Sequence, residues 1–336
     1  MKESHFYHIA GDGSMAKMES VENALEAMKS GGYIWLDYNQ PQKADLERLI
    51  EPLGIHPLSI EDSVDQHQIP KMDDYAGNTF ILFNAFHYAA DTLSVTEVDA
   101  FLGRNYLITV GSQNSHSLSL LENIKRSIET EVESAKKGPA FLLHIILDQV
   151  VDEKFVAIEG LEEKLNEGEE VILANLEKFD PAELMHLRRD LLTVRKSLFH
   201  EREVLVKICR KDSPFIPDEA IYLFRDIYDH LSKFFELTES YRDLVTSLME
   251  MYLSMLNNKM TKAANDTNIT VRRLTLITTI FMPLTLLAGI GGMSEWSMMT
   301  GEQNWRIAYP AFLVAMVVLG VCNYYLIKWL DKRRSS

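Results

Sequence analysis

Arg272-Arg273-Leu274-Thr275-Leu276-Ile277-Thr278-Thr279-Ile280-Phe281-Met282-Pro283-Leu284-Thr285-Leu286-Leu287-Ala288-Gly289-Ile290-Gly291-Gly292-Met293-Ser294-Glu295 decides the architecture. No side chain from Leu274 to Ser294 is charged, and the same holds from Ile307 to Ile327. Each run is about 20 residues, the length a helix needs to cross the hydrocarbon layer. Two transmembrane helices are therefore expected, at 271–294 and 307–328. Lys259, Lys262, Arg272 and Arg273 precede the first, and Lys328, Lys332, Arg333 and Arg334 follow the second. Positive charge favours the cytoplasmic side. This predicts cytoplasmic termini, an extracytoplasmic loop at 295–306 and a basic cytoplasmic tail at 329–336 in the inner (cytoplasmic) membrane. Trp296, Trp305, Tyr309, Tyr324, Tyr325 and Trp329 fall near the expected interfaces, where amphipathic rings concentrate.

Working back towards the N-terminus, no proline occurs between Pro217 and Pro283, and no glycine between Pro217 and Gly289. Apolar residues recur at three and four: Ile227, Leu231, Phe234, Tyr241, Leu244, Leu248, Met255. An unbroken helix from Glu219 to Ile290 would have about 72 residues and span roughly 108 Å. One small domain cannot cover such a rod, so copies of the chain are expected to associate. On a 3.6-residue period, Asn268, Val271, Leu274, Thr278, Met282, Thr285 and Gly289 share one face. If copies met along it, Leu274 and Met282 would form apolar rings able to gate by dewetting, and Thr278 and Thr285 would offer hydroxyls. Periodicity alone fits ordinary helix packing equally well.

The rest reads as an α+β cytoplasmic domain, with an α/β part at 1–138 and a helical region with stalk helix at 139–270. Strand signals occur at Tyr33–Tyr38, Thr79–Tyr88, Val95–Leu102 and Tyr106–Val110, with Gly103-Arg104-Asn105 as a hairpin turn. Helices are expected at Val21–Ser30, Lys43–Leu53, His116–Lys136, Phe141–Asn175 and Ala182–Arg210. The formal charge of −15 argues against a nucleic-acid partner. The two cysteines, Cys209 and Cys322, make no metal knuckle or disulfide framework. His56, His67, His186 and His200 show no ligand spacing, and neither a phosphate loop nor a nucleophile elbow is present. An enzyme is not expected, nor any prosthetic group, and the N-terminus lacks the apolar region of a signal peptide.

Three stretches carry a resemblance: Gly54-Ile55-His56-Pro57-Leu58-Ser59-Ile60-Glu61-Asp62, Phe224-Arg225-Asp226-Ile227-Tyr228-Asp229-His230, and Phe281-Met282-Pro283-Leu284-Thr285-Leu286-Leu287-Ala288-Gly289-Ile290. In this order, with two C-terminal spans, the chain resembles the CorA family of divalent metal-ion transporters. The resemblance implies a funnel-shaped homopentamer, with the first span lining a pore and the second forming an outer ring. It implies Mg²⁺ as transported and regulatory ion, with Co²⁺ or Ni²⁺ as further cargo. The family's Gly-Met-Asn mouth reads Gly292-Met293-Ser294 here, followed by Glu295. A serine hydroxyl donates as well as accepts, so Mg²⁺ preference is an open expectation. A Zn²⁺ transporter resembling the ZntB branch, a weakly selective cation channel and a non-conducting membrane-anchored sensor stand as alternatives. The resemblance also implies regulatory metal sites at subunit interfaces, matching Asp62 and Asp226, with Glu61 and Asp148 at a neighbouring site. Hard divalent ions take carboxylate oxygens.

Overall fold

The computed structural model describes residues 4–65, 68–111, 132–292, 301 and 304–334. The chain divides into two compact units, Met1–Tyr252 and Leu253–Ser336.

The first unit is built on a seven-stranded sheet. Its strands are β1 (His5–Ile9), β2 (Met15–Met18), β3 (Tyr33–Asn39), β4 (Lys71–Asp74), β5 (Thr79–Ala89), β6 (Thr92–Leu102) and β7 (Tyr106–Gly111), in the spatial order β2-β1-β3-β7-β6-β5-β4. Among the described strands only β3 and β7 pair in parallel. The β-branched and aromatic runs that mark β3, β5, β6 and β7 in the sequence form the sheet centre. Strands β2 and β4 carry no such signal, and β1, with Phe6, Tyr7 and Ile9, carries a short one that was not singled out in the sequence. The Gly31-Gly32 turn into β3 uses positive φ at both residues, 113° and 80°, which glycine adopts without a Cβ clash.

Short helices α1 (Val21–Met28), α2 (Lys43–Glu47), α3 (Ile50–Leu53) and α4 (Pro57–Val64) cover one face of the sheet. The single helix expected over Lys43–Leu53 is two. Pro52 has no N–H for the Arg48 carbonyl, but fits the first turn of a new helix. Helix α4 starts at Pro57 behind His56, whose Nδ1 accepts from Leu58 N at 3.3 Å while its ring stacks on Tyr75. Of the expected helix at His116–Lys136, α5 (Val132–Ala135) is described and 116–131 lies outside the described residues.

The opposite face is covered by α6 (Pro139–Ala174), which lies mainly across β5, and α7 (Pro181–Cys209) packs beside it. Asp180 caps α7 by accepting from Ala182 N at 2.9 Å. A single 3₁₀ turn, Asp218–Ala220, then leads into α8 (Ile221–Gly291), 71 residues without a break. It begins two residues later than the sequence suggests.

One ion pair is fully enclosed where α6, α7 and β5 meet. Lys154 Nζ lies 2.6 Å from Glu201 Oε1, and both side chains are wholly inaccessible. Lys154 also donates to the Asn84 carbonyl, and its ammonium sits 4.6 Å from the Phe86 ring centre. Glu201 Oε1 accepts from Asn84 N at 2.9 Å. Burial pulls the Lys154 ammonium down and pushes the Glu201 carboxyl up, and each partner opposes the other's shift. A second buried carboxyl, Asp99, stands on β6 opposite Leu82 and Val110, on the face covered by α1–α4. Burial pushes it up to about 8, with Glu97 and Asp62 adding to the effect.

The second unit holds the remainder of α8 and α9 (Trp305–Arg334). Both helices are long and apolar enough to cross a membrane. No described residue beyond Leu248 is buried. Gly291 lies against the Phe312 ring and Gly320 against Leu284, close approaches of the kind small residues permit between membrane helices.

Two outcomes follow. Lys154→Met leaves a buried carboxyl without its cation and should destabilise the chain by about 3–5 kcal/mol, whereas Lys154→Met with Glu201→Leu should recover most of the loss. Chemical unfolding of the purified full chain measures both. Asp99 holds a proton in the folded state that the unfolded chain releases near its ordinary value. Its contribution to stability is therefore complete below about pH 4 and lost as pH rises to about 8, at roughly 1.4 kcal/mol per pH unit. In thermal melts, Asp99→Asn should flatten the fall in midpoint between pH 5 and pH 8.

Candidate metal sites and conduction face

Two groups of carboxylates come from different elements of the first unit. Glu61 and Asp62 lie in the last turns of α4, with Glu61 exposed. Asp62 Oδ2 is 2.8 Å from Lys71 Nζ on β4, and Asp73 is 3.7 Å from the same ammonium. Against the opposing effect of burial, Asp62 and Asp73 hold the Lys71 ammonium above its ordinary value. Asp62 is thus a carboxylate already paired with a cation.

Asp148 of α6 belongs to the second group, with Asp226 of α8. Burial raises the Asp148 carboxyl, the Asp152 and Asp226 charges raise it further, and His230 opposes them. Asp148 and Asp152 are four residues apart on one helix, as are Asp226 and His230 on the other, so each pair shares a face. Asp226 is exposed. The structure therefore associates Asp148 with Asp226, whereas the resemblance grouped Asp148 with Glu61.

Neither group closes around an ion within one chain. Among the described residues, no cluster of three or more His, Cys, Asp or Glu is placed to hold a metal. Lys71 and His230, the countercharges of the two groups, were not singled out in the sequence. His230 was detectable by its i, i+4 spacing from Asp226. Lys71 was not, because it reaches Asp62 only through the placement of β4.

On α8, Leu274 and Met282 are 64% and 72% exposed, so this face meets no cover from its own chain. Asn268, Val271, Thr278, Thr285 and Gly289 are exposed along it. The Thr278 hydroxyl donates to the Leu274 carbonyl at 2.9 Å, and Thr285 to Phe281 at 2.8 Å. With their protons committed to the helix, both oxygens have lone pairs left to offer. They can accept from a water molecule or touch a cation, which a freely rotating hydroxyl does less selectively. Gly292 ends the described part of the expected mouth, and Met293, Ser294 and Glu295 lie outside the described residues.

Residues 30–333 match the family model described as CorA-like Mg²⁺ transporter protein. The chain is 31% identical over 322 residues to the cobalt/magnesium transport protein CorA of Thermotoga maritima, covering 95% of this chain and 88% of that one. It is 32% identical over 302 residues to a putative metal ion transporter, YfjQ, of Bacillus subtilis, covering 89% and 90%. In fold it is similar to the complete structure of the CorA magnesium transporter from Methanocaldococcus jannaschii, with TM-score 0.68, 24% identity and 98% of each chain covered.

The repulsion around Asp148 is directly testable. Asp226→Asn and Asp152→Asn should each move the Asp148 carboxyl titration to lower pH, followed as its C=O stretch in infrared difference spectra against an Asp148→Asn blank. No movement in either variant would show that burial alone sets the shift.

Proposed function

The chain belongs to the CorA family of divalent metal-ion transporters, and from that premise we propose that it is a homopentameric Mg²⁺ channel closed by intracellular divalent ions. The observation that carries this reading is the bare face of α8. It alternates apolar Leu274 and Met282 with the acceptor oxygens of Thr278 and Thr285. Brought together around an axis, such faces form a water path narrowed by two apolar rings. Mg²⁺ dehydrates reluctantly, and acceptors facing the path suit the protons of its water shell. The membrane potential is sufficient drive: a doubly charged ion moving inward gains roughly 4.6 kcal/mol per 100 mV.

Regulation is assigned to Asp62 and Asp226, with Glu61 and Asp148 beside them. The incompleteness of both carboxylate groups within one chain supports this. An ion shared by Asp62 of one copy and Asp226 of the next would screen repulsion between copies, and losing it would shift the population towards open. The termini are assigned to the cytoplasm from the basic flanks of the two spans. Mg²⁺ is taken as the principal ion, with Co²⁺ and Ni²⁺ as competitors.

Ion uptake by proteoliposomes of stated internal Mg²⁺ tests this. The parent should conduct at low internal Mg²⁺ and close as it rises, while Asp62→Asn with Asp226→Asn should stay open at concentrations that close the parent. Leu274→Ala should raise flux and, by loosening an apolar ring the copies share, raise the internal Mg²⁺ concentration needed for closure. Absence of flux for Mg²⁺, Co²⁺, Ni²⁺ and Zn²⁺ with an intact oligomer would reject conduction. Flux for Zn²⁺ alone would replace the cargo and leave the scaffold reading in place.

A further inference from the structure

A cavity of about 1130 Å³ opens in the first unit, at the carboxyl ends of the parallel strands β3 and β7. Helices α1, α2 and α4 and strand β6 form its walls. No residue of the α8 face lines it, and neither do Asp226 and Asp148. In its wall Asn39 Oδ1 has no hydrogen-bond partner, and Asp99 Oδ1 and Ser63 Oγ have at best a weak interaction with each other. Asp99 is only 2% exposed. Buried polar groups are nearly always satisfied, so orphans gathered around one cavity point to something that fills it.

The charge of the lining narrows the chemistry. Glu19, Glu22, Asp45 and Glu97 line it beside Asp99, which burial keeps protonated near neutral pH, and Arg48 is the one cation among the described lining residues. Three of these acids are partly engaged: Glu97 accepts from Gln68 N at 2.7 Å, Asp45 from Gln42 N at 3.0 Å, and Glu22 from the Ser20 hydroxyl. The lining is therefore strongly anionic and attracts a cation. A bare metal ion does not fit, since no three carboxylates converge to coordinating distance among the described residues. A hydrated metal ion also fits poorly, because Leu25, Leu49 and Val110 would face its water shell and leave water protons without acceptors. A ligand whose positive groups are separated by methylenes answers both parts of the wall. The ammonium groups reach carboxylate and amide oxygens, while the alkyl segments lie on the leucines and valine.

We propose that this cavity is a binding site for a linear polyamine, with one ammonium group donating to Asp99 Oδ1 and Asn39 Oδ1 at its base. The ligand supplies the donors these oxygens lack, and its charge offsets the acidic lining. Ser63 and Val64, at the end of α4, line the cavity, and Asp62 precedes them on the same helix.

Equilibrium dialysis of the purified full chain against labelled spermidine, in excess Mg²⁺ to saturate other cation sites, tests the proposal. One saturable site per chain is expected, with no binding of the neutral 1,8-octanediol. Asp99→Asn keeps the size and an acceptor oxygen but cannot ionise against the ammonium, and should weaken spermidine by ~10-fold or more. Leu25→Trp keeps Asp99 and fills the cavity, and should abolish the site. The second variant decides the matter even if the first does not fold. Unchanged affinity in Leu25→Trp, no saturable binding by the parent, or equal displacement by Mg²⁺ at matched charge would each overturn the assignment.

Discussion

Among the described residues from Leu253 onward, the chain has no interior of its own. The first unit buries aromatic and aliphatic side chains on both faces of its sheet, whereas in the second unit no described residue is buried. A polypeptide can hold such a surface only in hydrocarbon or against other helices, and in hydrocarbon every backbone polar group must be satisfied locally. An unbroken α-helix meets that demand. Pro283 is the exception, because it withholds a hydrogen bond from the Thr279 carbonyl. The threonine hydroxyls along this stretch, Thr275, Thr278, Thr279 and Thr285, all bond back to carbonyls four residues earlier. Their protons are thereby satisfied without water, and their oxygens become acceptors. The requirement that stabilises the helix in lipid also leaves acceptor oxygens along its bare face.

The carboxylates of the first unit serve different ends because their surroundings differ. Glu201 is sealed from water and meets Lys154, so its charge is spent on holding α6 and α7 to β5. Asp62 is partly exposed and shares Lys71 with Asp73. Its pairing is reversible, since a surface ion pair is worth little and a divalent ion competes well for the same oxygen. Asp148 sits with Asp152 and Asp226 and only His230 to oppose them, so its charged form is disfavoured until more positive charge arrives. The net charge of −15 does not separate these roles, but burial and countercharge do.

What the sequence made legible follows the same physics. The long helix and the two spans were readable because charge, proline and glycine are absent over whole turns. Strands β3, β5, β6 and β7 were readable because their β-branched and aromatic residues are continuous. Strand β2 is Met-Ala-Lys-Met and β4 is Lys-Met-Asp-Asp, neither a β-former, and each is a strand because a stronger neighbour offers it an edge. Helix α4 escaped notice although Pro57 marks its first turn. At the candidate site, the resemblance supplied Glu61, Asp62, Asp148 and Asp226. Their countercharges could not come from it, since Lys71 is brought to Asp62 by the pairing of β4 with β5. Asp99 was hidden for a related reason: on β6 it occupies the face that also carries Phe101, and only the folded register reveals a carboxyl in a core position.

These features bear on how a bound ion would be felt. Asp62 is partly exposed beside one close cation, and Asp226 is exposed on α8 near the like charge of Asp148. A divalent ion between such groups on two copies gains from both sides: it displaces a weak monovalent pairing at Asp62 and relieves repulsion around Asp148. Neither gain is available to a single chain, because neither group closes by itself. Affinity for the ion is then tied to how closely the copies approach, and the linkage is reciprocal. Whatever draws the copies together tightens the ion, and the ion draws the copies together.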